Sequence, residues 1–170
     1  SPTADNKAAL ARARAVLAYE FGDGAPDAKA AIDGLAGQSS LDLDVATAYL
    51  ALAQNDAKAA REAAERSKQE APNDAAALYV SGQAALLAGD GKAAVAELRS
   101  AFEHEPRPLY AAGLARALAA SSAWDDALAT IDRAPDNPAA LITKGFVLAA
   151  SNRVITGGGN EFRTQLTKII

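Results

Sequence analysis

The sequence predicts an all-α chain built as an array of helical hairpins. Three observations lead there: one stretch reads as two short amphipathic helices around a tight turn, the stretch before it repeats the plan, and the composition is rich in alanine and poor in aromatics. The first stretch is 75–106, AAALYVSGQAALLAGDGKAAVAELRSAFEHEP. Asn73 and Asp74 are cap residues just before a helical run. Leu78, Ala85 and Leu86 then recur at helical spacing, and Val80 and Leu87 widen the stripe. Gly89-Asp90-Gly91 stops this helix, because glycine enters left-handed conformations at little steric cost. Asp90 caps the next helix, in which Ala94, Leu98 and Ala101 mark one face, and Pro106 ends it. Both helices are near or below the ~12–15 residues that hold alone in water. They must pack on each other and on neighbours.

Sliding the sequence by 34 positions shows where the neighbours come from. Ala51 falls on Ala85, Leu52 on Leu86 and Asp56 on Asp90. Lys58-Ala59-Ala60 falls on Lys92-Ala93-Ala94, and Pro72 on Pro106. A period of 34 with this layout resembles the tetratricopeptide repeat family. The resemblance implies a small residue at the eighth place of each repeat, met by Ala48, Gly82, Ala115 and Gly145. It implies alanine at the twentieth, met by Ala60, Ala94 and Ala127, all expected to be buried at helix crossings. A small residue at the twenty-seventh is met by Ser67, Ala101 and Ala134. The aromatic of the seventeenth place occurs once, as Trp124, where packing inside a hairpin is expected. The fourth place departs from the pattern, holding Asp44, Leu78, Ala111 and Leu141. The implied fold is a right-handed α-solenoid.

Taken in order, 1–40 reads as a degenerate first repeat. A helix runs over 7–21 with Leu10, Leu17 and Phe21 on one face, and a Gly22-Asp23-Gly24-Ala25-Pro26 turn follows. A short helix begins at Pro26 or Asp27, passes through Ile32 and Leu35 and ends around Gly37. Repeats two and three occupy 41–74 and 75–107. Repeat four, 108–137, opens on Pro108, which is tolerated at a first helical position. Its first helix runs to about Ala120; Ser122 to Asp125 reads as a capping box for the second, which Pro135 cuts short. The fifth segment, 138–170, opens behind Asn137-Pro138 with a helix ending near Ser151. Gly157-Gly158-Gly159 then reads as a linker, and a final helix over 160–170 ends on two isoleucines. A true capping repeat carries a polar outer face, so the array is expected to continue in a longer parent. The lack of any methionine fits a processed or excised chain.

Composition excludes several classes of function. A formal net charge of -4 argues against nucleic acid, which calls for a basic stripe. No apolar run approaches the ~20 residues that span a bilayer. Without cysteine there are no disulfides or thiolate metal sites, and the compartment stays open. The alanine content hints at a GC-rich bacterial genome, and the cytoplasm and periplasm both fit.

Candidate chemistry has a plainer reading at each place. Gly157-Gly158-Gly159 lacks the Gly-Lys-Ser/Thr of a phosphate loop and no strand precedes it. Asp125-Asp126, Glu103 and Glu105 sit at a helix start or on an exposed face, where charge is solvated. His104 is the sole histidine and falls on the last turn of a helix; without cysteine it makes no usual zinc shell. The expectation is no catalytic residue, no cofactor and no metal.

The resemblance points instead to a concave groove lined by first helices, at the second, fifth, ninth, twelfth and thirteenth places. Here these give Val45, Tyr49, Leu52, Tyr79, Gln83, Leu86, Leu109, Arg116, Ile142 and Phe146. Rigid aromatic rings contribute large contact area at low entropic cost. Grips on a C-terminal carboxylate in this family use lysine and asparagine, whereas here only Arg116 is suited to that task. The expected partner is therefore a protein that presents a helix or an extended apolar segment. Two alternatives stand beside this reading: self-association through the last helix, giving a homo-oligomer, and a regulatory section of a larger multidomain protein.

Overall fold

Helix starts and stops written into the sequence divide the chain into a series of α-helices. The computed structural model describes residues 3–134 and 137–151. Within these the helices are α1 (Ala4–Phe21), α2 (Ala25–Asp33), α3 (Leu41–Ala53), α4 (Ala57–Glu70), α5 (Ala75–Leu87), α6 (Gly91–His104), α7 (Pro108–Ala120), α8 (Trp124–Asp132) and α9 (Pro138–Ala150). Side chains close the exposed amides at several starts. Asp56 accepts from Ala59 N at 2.9 Å, Asp90 from Ala93 N at 3.0 Å, and Asp74 from Ala76 N and Ala77 N. Pro108 opens α7 and Pro26 lies in the first turn of α2.

Three hairpin turns share one device. Asn55, Gly89 and Ser122 all take a left-handed conformation, at φ 57°, 82° and 62°, just before the next helix. Ser122 therefore belongs to the turn, and the expected capping box does not form. Ala123 is the cap position of α8 and offers no side-chain acceptor. The short α2 also ends earlier than expected, at Asp33, and Leu35 is buried in the turn that follows.

Packing converts the hairpins into two layers. Each odd helix packs on the next odd helix, whereas no even helix among the described residues reaches the next even one. In a curved array the side with the closer neighbours is the inner one, so α1, α3, α5, α7 and α9 form the inner layer. Small residues set the spacing. Ala60, Ala94 and Ala127 are each 0% exposed, as are Ala48 and Ala115. A Cβ added to Gly82 would stand 2.5 Å from Leu98 Cγ, so α5 and α6 approach closely only because that side chain is missing. The absent aromatic at Asp44 is also explained: its carboxylate is buried and accepts from Arg66 Nε of α4 at 2.7 Å. Trp124 is half-buried against the core. The architecture is an all-α solenoid of helical hairpins.

The first helix departs from expectation. Its buried face is Ala8, Ala11, Ala15 and Ala18, while Leu10, Leu17 and Phe21 lie outward at 51%, 53% and 77% exposure. Alanines allow α1 to lie closer against α3 than longer side chains would, and α1 packs on α3 far more extensively than α2 does. No described helix is long and apolar enough to cross a membrane. The readings made for Pro135, the 157–159 linker and the 160–170 helix fall outside the described residues.

Candidate protein-binding surface

The inner layer is organised by tyrosines. Tyr19, Tyr49, Tyr79 and Tyr110 come from α1, α3, α5 and α7, with successive ring centroids 5.6, 6.0 and 4.8 Å apart. Such separations suit tilted and offset stacking. These are all the tyrosines of the chain, and they recur every 30 or 31 residues. That spacing was a readable signal, but it does not match the period of 34 and so escapes a search by repeat register.

Burial by this ladder revises the expected site. Val45, Tyr49, Leu52, Tyr79 and Gln83 were expected to line an open groove, and all five are buried, with Tyr49 2% and Tyr79 0% exposed. Neighbouring helices of the same layer contribute to this. The alanine face of α1 lies on α3, Arg12 bonds Asp42 at 2.7 Å, and the Tyr19 hydroxyl donates to Gln83 Oε1 at 2.9 Å. Gly113 of α7 completes the closure, because a Cβ there would meet Gln83 Nε2 at 2.5 Å and Tyr79 Cε2 at 2.7 Å. The remaining members stay more accessible. Leu86, Leu109 and Arg116 are half-buried, and Ile142 and Phe146 are 64% and 62% exposed. A shallow depression bounded by Tyr19, Leu52, Asn55, Gln83, Leu86 and Leu87 opens between the two sets.

Electrostatics mark the same region. Burial pushes the Tyr49 and Tyr79 hydroxyls well above their usual value near 10. Tyr19 is raised by burial too, against the opposing charge of Arg116. Glu20 is raised by burial, partly offset by Arg116. Burial would lower the Arg116 pKa, but Tyr19, Tyr79 and Glu20 reverse that, so the guanidinium stays charged. The Tyr19 hydroxyl also interacts with the Tyr79 hydroxyl and with the Arg116 side chain, which ties α1, α5 and α7 together across the ladder.

Every large apolar side chain left exposed among the described residues lies on an odd helix: Leu10, Leu17 and Phe21 on α1, Leu87 on α5, Ile142 and Phe146 on α9. The even helices present charge instead, including Lys58, Glu62, Lys92 and Arg99. His104 is exposed at the end of α6, and Asp125 and Asp126 are exposed in the first turn of α8.

No protein-family model and no curated protein matches the sequence. The fold does match solved structures. One is a MamA point mutant, with a TM-score of 0.57 and 17% identity, covering 98% of this chain and 97% of that one. Another is MamA AMB-1, with a TM-score of 0.56 and 18% identity over 96% and 90%. These neighbours are helical solenoids of the tetratricopeptide type, and the likeness is one of fold.

Proposed function

We infer that this chain is a protein-interaction module whose inner layer receives a helix or peptide of a partner protein, and that it works by binding and not by catalysis. One observation carries the reading: the exposed large apolar residues are confined to odd helices, while the even helices present charge. Grouped exposed apolar residues favour association, because covering them removes apolar area from water. Phe146 and Ile142, one turn apart on α9, supply the exposed apolar contact at this end of the layer, and Leu86, Leu87 and Arg116 extend it along α5 and α7. Arg116 adds direction through its charged, planar donors. A fold shared with other helical solenoids agrees with this reading.

The test is recovery of a partner from the source cells by the purified chain. Ile142→Glu with Phe146→Glu, or Arg116→Ala with Leu86→Ala, should reduce recovery at least tenfold while the helical signal is retained. Unchanged recovery by both folded double variants would contradict the inner layer as the binding surface.

A further inference from the structure

Helix α1 packs on α2 and α3 but not on α5 or α7, yet its Tyr19 meets side chains of both. Packed helices lie about 8–10 Å apart, so three steps across a flat layer would separate α1 from α7 by roughly 25–30 Å. A tyrosine and an arginine side chain together reach far less than that. The inner layer therefore bends sharply enough to bring Tyr19 and Arg116 together across α3 and α5. We propose that Tyr19, Gln83 and Arg116 form a brace that fixes this bend, and that Tyr19 is thereby a positioning residue for the partner surface. The inference rests on the binding role of the inner layer stated above.

The chemistry of the cluster suits a brace. A tyrosine hydroxyl has one proton to donate and two lone pairs to accept with. That of Tyr19 donates to Gln83 Oε1 at 2.9 Å and interacts with the Tyr79 hydroxyl and the Arg116 side chain, so one atom joins three helices. Glu20, the next residue, faces Arg116 with opposite charge and favours the same approach. Gly113 brings the α7 backbone against the Gln83 amide, which holds the third member in place. Arrays of this kind bend by small rotations summed over their repeats, so a tie across three steps restrains the bend more than a contact between neighbours does. The bend in turn sets how far Arg116, Ile142 and Phe146 stand from Leu86 and Leu87, and with it the shape that a partner meets.

The test is a distance between α1 and α7. The chain has no cysteine, so Ala13→Cys and Ala120→Cys, both at exposed positions, provide two sites for spin labels. Pulsed dipolar spectroscopy on the full chain then reads their separation. Tyr19→Phe and Arg116→Met should each shift it to longer values and broaden its distribution. The two together should shift it no further than the larger single change, because both break one brace. Thr3→Ala removes the cap bond of α1, which lowers stability without touching the brace, and should leave the distance unchanged. An unchanged distance in both single variants would overturn the proposal. So would a fully additive double variant, or an equal shift produced by Thr3→Ala. No partner takes part in the measurement, so failure here is separable from failure of the binding role itself.

Discussion

Gly113 shows how much of this structure depends on atoms that are missing. It lies mid-helix in α7, where alanine would normally gain about 1 kcal/mol of helix propensity. The added methyl group would meet the Tyr79 ring and the Gln83 amide at less than contact distance, and the Tyr79 ring has no open side to move into. Overpacking of this kind costs about 1–3 kcal/mol, so the clash wins. Gly113→Ala should lower the melting temperature by several degrees, and an unchanged or higher value would show that the ladder relaxes freely. The same tyrosines make a pH prediction. Their folded-state pKa values are raised, so the stability they contribute is complete below about 10 and is lost as pH rises through the folded values. Tyrosinate absorbance should therefore appear together with loss of helix on alkaline titration. Ionisation near pH 10 in an intact fold would contradict the buried ladder. At this scale the sequence was legible where size alone decides, as at Ala60, Ala94 and Ala127. It was not legible at Tyr49 and Tyr79, since an inward tyrosine reads identically whether solvent or another helix lies beyond it.

Helices α4, α6 and α8 begin at matching places with unequal caps. Asp56 and Asp90 each close an amide, while Ala123 has nothing to offer, although its backbone has a similar conformation. Ala123→Ser should stabilise the chain by about 1 kcal/mol without adding a third acid beside Asp125 and Asp126. A melting temperature that fails to rise would show that the start of α8 is satisfied otherwise. Helix α1 is well capped, and its pairing with α3 is the most extensive between any two described helices. Four buried alanine methyls contribute roughly 3 kcal/mol at about 0.8 kcal/mol each, to which Arg12–Asp42 and Tyr19–Gln83 add. The apolar stripe Leu10-Leu17-Phe21 was readable on the sequence and its direction was not. Helical periodicity identifies faces, but which one turns inward depends on how closely the neighbour approaches, and a run of alanines lets α3 come nearest.

The molecule as a whole is an array in which each hairpin touches little beyond its neighbours, so its layers follow from repetition more than from any single contact. The period of 34, the cap aspartates and the small residues at crossings made that architecture readable from the start. What repetition leaves unsaid is how the array begins. The first hairpin breaks register, and its α1 joins the inner layer against α3 with Tyr19 heading the tyrosine ladder. The surface still accessible runs from Leu86 and Leu87 past Arg116 to Ile142 and Phe146, and the account stands or falls on whether a partner rests there. Site-specific photo-crosslinking in the source cells is the most direct measurement. A photoreactive residue at Phe146 or Leu87 should capture the partner, while the same residue at Lys58 or Lys92 on the even helices should not. Capture from Lys58 or Lys92 and none from Phe146 or Leu87 would contradict it.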